Sequence, residues 1–316
     1  MKYSKMMILL FVLLVPATAH ATLEPSGSVQ IATCNFNSSP PCGAGSVRAG
    51  AWYNLYPGSE IIGSDSGEPL SPPGFLDNVL NYTGPCGPSP GFLQCANGGT
   101  QIGYIDNKAD RELYARLSFK ISLGYGCSRV GFSKVFFMRD IDNTLGYIGT
   151  NGVFGIRGCD NPKSLIFGHN TGGGLDNSHI CATDLGLTCF ANVGSGAIYE
   201  GQWHTIEACI RSSSTTTARD GYVWWAVDGV MAGNYPGLNY GNGNVNEWVE
   251  NQTWDGYGNG QGFTQTIRQQ IGHVYVSVPP NGGCASVAGG GGTTPPPVDT
   301  TPPGRASGLV ITQLTN

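Results

Sequence analysis

Two runs of alternating residues carry the side chains best suited to chemistry. In "DRELYARLSFKIS" (110–122) Arg116 and Lys120 fall on the polar side, away from Leu113, Ala115, Leu117, Phe119 and Ile121. In "IRQQIGHVYVSV" (267–278) Gln269, His273 and Tyr275 share one side by parity. A guanidinium or an ammonium holds an anion. An imidazole or a phenol passes a proton when it lies within hydrogen-bond reach of it. If both runs are strands with adjoining polar faces, these five side chains line one groove.

Other patterns are weaker. No C-x-x-C occurs, and no Cys/His spacing suits zinc, so no metal site is assigned. "DIDNTLG" (140–146) is an oxygen-rich loop that allows calcium, although its glycine falls one position late for an EF-hand. No other cofactor is expected. "HNTGGGLDN" (169–177) is followed by no lysine and is not a phosphate loop. The formal charge of -5 comes without a basic stripe, which argues against nucleic acid as a partner.

The elements that must position these groups are strands. Charged residues are 12% of the chain, against about 25% in an average soluble protein. Glycine supplies 49 of 316 residues, and Gly/Asn/Pro turns suit many short strands. Alternation continues through "GQWHTIEACIR" (201–211) and "DGYVWWAVDGV" (220–230). Asp228-Gly229 between two valines marks a two-residue hairpin, because both turn positions need positive φ.

The first 21 residues read as a secretory signal peptide: two lysines, an apolar run, then Ala19-His20-Ala21 as the cleavage site. No later segment approaches the roughly 20 apolar residues of a membrane span. All ten cysteines follow that site, and an even count in an exported chain reads as a disulfide framework. Cys34/Cys42, Cys86/Cys95 and Cys181/Cys189 are close enough to pin local loops, though spacing fixes no connectivity. One domain is expected over 22–284, then a Gly/Thr/Pro linker at 285–303. The tail at 304–316 resembles the entry to a fibronectin type III module as much as a disordered end. The protein is expected to be a monomer, secreted or held at the cell surface.

"LYARLSFKIS … FSKVFFM", "GQWHTIEACIR", "DGYVWWAVDG" and "IGHVYVS" together resemble the concanavalin A-like lectin/glucanase jelly roll, specifically the polysaccharide lyase-like branch of secreted bacterial proteins. The likeness spans about residues 111 to 278. It implies an all-β, two-sheet antiparallel sandwich and a polysaccharide partner. Gly272 departs from the pattern, since the family often has an aspartate before the histidine, which could orient the imidazole.

The resemblance implies three readings. A glycan binder would offer aromatic rings and amides, for which Trp224, Tyr235 and Trp254 are candidates beside Gln269; Trp203 and Trp225 are expected to fill the core. A lyase acting on a uronic-acid polymer by β-elimination would need a cation to neutralise the sugar carboxylate and a base for the adjacent proton. Arg116, Lys120, His273 and Tyr275 are its catalytic candidates. Against it, the arginines of the alginate-lyase R-x-E-L-R motif are replaced by Asp110 and Tyr114. A laminarinase-type hydrolase would need E-x-D-x-E, which is absent; Asp140 and Asp142 share parity without flanking glutamates. A structural or adhesive surface protein is the remaining alternative.

Overall fold

The computed structural model describes residues 22–46, 50–54, 61–70, 73–80, 101–108, 110–126, 132–142, 146–169, 188–215, 217–240, 243–253 and 266–289. They form two antiparallel sheets packed face to face. In chain order the strands are β1 (Val29–Cys34), β2 (Trp52–Asn54), β3 (Ile62–Ser64), β4 (Gly74–Leu80), β5 (Ile102–Ile105) and β6 (Glu112–Ile121). Then come β7 (Phe132–Asp142), β8 (Gly146–Arg157), β9 (Lys163–His169), β10 (Thr188–Cys189) and β11 (Ala197–Ile198). The last are β12 (Trp203–Arg211), β13 (Gly221–Val227), β14 (Val230–Leu238), β15 (Glu247–Thr253) and β16 (Ile267–Val278), followed by a short helix α1 (Gly283–Gly289).

Sheet I runs β14-β13-β12-β6-β16-β4-β3, with β1 also pairing along β16. Sheet II runs β10-β9-β8-β7-β15-β5-β2, with β11 on β9. The alternating residues explain the layering. Leu113, Ala115, Leu117, Phe119 and Ile121 of β6 and Ile206, Ala208 and Ile210 of β12 all point into the space between the sheets. They meet Phe136, Phe154, Phe167 and Trp248 from sheet II. Trp225 is fully buried there, as expected, with its indole N–H donating to the Leu165 carbonyl at 2.9 Å. Trp203 is not. In register with Lys120 it faces outward, half-buried, because β12 keeps strict alternation from His204 to Ile210. The Asp228-Gly229 hairpin forms with both residues at positive φ.

Residues 22–24 and α1 close over part of the outer face of sheet I. Cys209 of β12 is bridged to Cys284 of α1, and Ala285 and Val287 pack on Tyr114, Tyr222 and Trp224. The helix runs from Gly283 to Gly289. A bridge closing a loop of 75 residues contributes on the order of 4 kcal/mol in the chain-entropy picture. Leu23 packs on the same cluster from the segment before β1. The expected local bridge Cys34–Cys42 is present, and Cys159 and Cys189 are also disulfide-bonded. Cys86, Cys95 and Cys181 lie outside the described residues, as do the signal segment, most of the linker and the tail.

Candidate functional site

The outer face of sheet I is a ladder of polar rows. Register sets Tyr114 against Cys209 and Ser277, then Arg116 against Glu207 and Tyr275. Ser118 follows against Thr205, and Lys120 against Trp203 and Gln270. The Tyr114 row is closed off beneath α1 and residues 22–24. Residues 22–24 also reach Glu207 and Tyr275 of the Arg116 row, and Ser118 is buried, but Arg116, His273, Lys120, Trp203 and Gln270 are half-buried, and the candidate site lies among them.

His273 reaches this face through a break in β16. Gln269 and Ile271 point inward, but the pairing shifts between Ile271 and Val274, so Val274 and Val276 point inward in their turn. The extra residue of this β-bulge reverses the parity. His273 and Tyr275 therefore share the outer face, whereas Gln269 lies inside the sandwich. There its amide bonds the Tyr125 hydroxyl and the Lys134 carbonyl. The expectation that all three share a face is corrected on this point.

The His273 imidazole is held by Asn35, whose Oδ1 is 2.6 Å from Nδ1. A carbonyl oxygen only accepts, so Nδ1 carries the proton and the Nε2 lone pair is left available. Burial, then the nearby Arg116 guanidinium, pulls the His273 pKa below the usual histidine value, with Glu68 opposing. The ring is thus neutral at pH 7, with an acceptor nitrogen. Asn35 supplies an orienting contact that Gly272, having no side chain, cannot give.

Gly272 is required for a different reason. A Cβ there would meet the Ser118 Oγ at 2.2 Å and the Glu68 Cγ at 2.6 Å. Ser118 donates to Glu68 and accepts the His273 backbone N–H at 3.0 Å, so neither neighbour can easily give way. Gly272→Ala is expected to destabilise the fold by about 1–3 kcal/mol. Thermal melting of the variant checks this; a wild-type melting temperature would show that the Ser118–Glu68 contact yields.

The cations differ in their partners. Lys120 pairs with Asp65 at 3.0 Å and lies over the Trp203 ring. Asp65 also accepts the Trp203 indole N–H at 2.8 Å and the Gly67 N–H at 2.9 Å. Those donors, Trp203 first, hold its carboxyl down at about 2. Arg268 pairs with Asp77. Arg116 has no carboxylate partner among the described residues. Its guanidinium stacks over the Tyr275 ring at 5.3 Å, and its buried Nε has no acceptor. Tyr275 itself donates to Glu24 at 2.8 Å. Burial, then that carboxylate, raises its phenol pKa and disfavours it as a base.

The proposed aromatic contacts fare differently. Trp224 lies on the outer face but is fully buried under α1, with its indole N–H donating to the Cys284 carbonyl at 2.9 Å. It cannot meet a ligand while α1 is in place. Tyr235 lies on the inner side at the sheet edge, stacked on Trp225 and donating to the Phe190 carbonyl. Trp254 is outside the described residues, and so is part of the calcium-like loop. Among the described residues no group of three or more His, Cys, Asp or Glu is placed to hold a metal. Sequence reasoning missed Asn35, Asp65 and Glu68, which enter from segments with no alternating pattern. It also missed Trp203 as a surface group, although the parity of β12 would have found it.

Sheet II carries a second polar cluster on its outer face. Arg139 pairs with Glu247 directly across β7 and β15, and the Tyr53 hydroxyl donates to the same carboxylate. All three are 2% exposed or less. Phe137, Val153 and Val249 surround them in a small apolar cluster.

No family model matches the chain, and no curated protein matches it. Solved structures do. An alginate lyase from a Chlorella virus superposes with a TM-score of 0.51 at 12% identity, covering 79% of this chain and all of that one. An endo-1,3-β-glucanase from Streptomyces sioyaensis gives 0.46 at 15% identity, covering 82% and 100%. An alginate lyase from Aplysia kurodai gives 0.46 at 10%, covering 79% and 100%. The fold is the concanavalin A-like jelly roll.

Proposed function

We propose that this is a secreted protein that binds an acidic polysaccharide on the open rows of sheet I, with Arg116 taking a sugar carboxylate. One observation carries the reading: among the described residues Arg116 is a half-buried guanidinium with no carboxylate of its own, while Lys120 and Arg268 on the same face are each paired. A planar guanidinium stacked on a phenol is set up for bidentate bonding to a carboxylate. Trp203 and Gln270 extend the face along which a chain of sugars would lie. The alginate lyase of the same fold acts on a polysaccharide, but at 12% identity the likeness supports the fold alone.

Binding to polyuronates and to a neutral glucan tests the reading. Arg116→Ala is expected to weaken polyuronate binding by about 1.5–3 kcal/mol, roughly tenfold to more than a hundredfold. Any weak binding of the neutral glucan should be unchanged. Equal losses on both polymers, or an unchanged polyuronate affinity, would remove Arg116 from the site.

A second reading, β-elimination, is favoured by the His273 tautomer. In that reaction a base removes the proton beside the uronate carboxylate, the electron pair forms a carbon–carbon double bond, and the glycosidic oxygen leaves. Neutral His273 would supply the base through Nε2. Arg116 would stabilise the charge that develops on the carboxylate. Growth of ultraviolet absorbance from the unsaturated product separates turnover from binding alone.

A further inference from the structure

We infer that Glu207 is the receptor for the α-ammonium group that signal-peptide removal creates on Thr22, and that this capture keeps Arg116 available for its ligand. The second half of the inference rests on the binding reading above; the first does not.

Glu207 is 2% exposed, and its Oε2 accepts three hydrogen bonds. They come from the Thr22 hydroxyl at 2.9 Å, the Leu23 backbone N–H at 2.7 Å and the Tyr114 hydroxyl at 2.5 Å. No cation pairs with it among the described residues. A buried carboxylate without a cation is costly. Hydrolysis of the Ala21–Thr22 bond by a signal peptidase adds water across the peptide, leaving a carboxylate on Ala21 and an ammonium on Thr22. The new charge sits on the residue whose hydroxyl already touches Glu207, one residue before the N–H that also touches it.

Arg116 is what makes the capture matter. It is the residue directly across from Glu207 in the β6–β12 register, yet the two form no ion pair. Glu207 turns toward the strap formed by residues 22–24, and Arg116 turns toward Tyr275 on its other side. Glu24 holds the strap down by accepting from the Tyr275 hydroxyl at 2.8 Å and the Ser277 hydroxyl at 2.7 Å. Leu23 anchors it in the apolar cluster under α1. If the strap lets go, Glu207 is left facing Arg116, its cross-strand partner and a cation without a carboxylate among the described residues, and the guanidinium is lost to the ligand.

The pH dependence has a definite sign. An α-amino group ordinarily titrates at about 7.7–8.0, and a carboxylate partner raises that in the folded state. Its stabilisation is complete below the ordinary value and is lost as pH rises through the raised one. The other groups around it are Glu24, Glu207, Arg116, Tyr114 and Tyr275, and α1 brings no charge. Burial pushes the Tyr114 phenol far up, with Glu207 adding to it, and the Tyr275 phenol is also raised. Neither phenol titrates in that window.

The test compares the chain beginning at Thr22 with one carrying an extra alanine before it, each with and without Glu207→Gln. Intact mass first establishes the N-terminus of the secreted form. At pH 6 the extended chain is expected to melt about 2–8 °C lower. The gap should shrink as pH rises past the amine's titration. Polyuronate binding should be about tenfold weaker in the extended chain. Glu207→Gln should erase both differences. Equal melting at every pH, or secretion with a different first residue, overturns the capture. A melting gap with equal polyuronate affinity overturns the link to Arg116. Failure of the Thr22 form to bind any polyuronate sinks the binding reading instead, while the melting comparison still decides the capture.

Discussion

Replacing His273 by alanine is expected to lower the rate of uronate elimination by about 10²–10⁴-fold, the usual worth of a positioned base. Affinity for the polymer should change little, because in the proposed site Arg116, not His273, takes the carboxylate. The imidazole must be neutral to take the proton, so turnover should rise with pH through the histidine titration. Because burial and Arg116 pull that pKa down, the rise should lie below the ordinary value of about 6.5. Asn35→Ala frees Nδ1, and the Nε2–H tautomer that this permits offers no base; a loss in turnover larger than the loss in binding is expected. Rates are read from ultraviolet absorbance of the unsaturated product. If wild-type protein binds polyuronate without absorbance growth, the elimination reading fails and binding alone stands. Growth that is unaffected in His273→Ala would place the base elsewhere.

Arg139→Met is expected to cost about 3–5 kcal/mol of stability, because it leaves Glu247 as a buried charge without its guanidinium. Exchanging both members, Arg139→Met with Glu247→Leu, should recover most of that loss, since the penalty belongs to the orphaned charge rather than to the pair's absence. Denaturant melts of the two single variants and the double variant check this. The same proteins locate the site. If the cluster on sheet II is structural, the double variant should bind polyuronate as the wild type does. A stable double variant that has lost binding would move the glycan to the Tyr53–Arg139–Glu247 face.

The sequence by itself determined the sandwich and the inner face of the strands whose residues alternate, β6 and β12 foremost. Alternation is a local property of an extended chain: each residue points opposite to its neighbour. Leu113 to Ile121 and Ile206 to Ile210 could therefore be sorted into inner and outer sides without knowing what they pack on. The same rule put Arg116 and Lys120 on the outer side and marked the Asp228-Gly229 turn. It failed at Gln269. The bulge falls at Gly272, where Glu68 and Ser118, arriving from other strands and loops, occupy the space a side chain would need.

Tertiary structure alone decided what is open and what is covered. Nothing near Trp224 in the sequence shows that α1, tied through Cys284, will lie over it. Nothing near Glu207 shows that residues 22–24 will reach it. Periodicity reports which way a side chain points; burial of an outer face depends on segments brought there by contacts with high sequence separation. Charge works the same way. Arg116, Lys120 and Arg268 look alike along the chain, and only the placement of Asp65 and Asp77 leaves Arg116, of these three, without a carboxylate among the described residues.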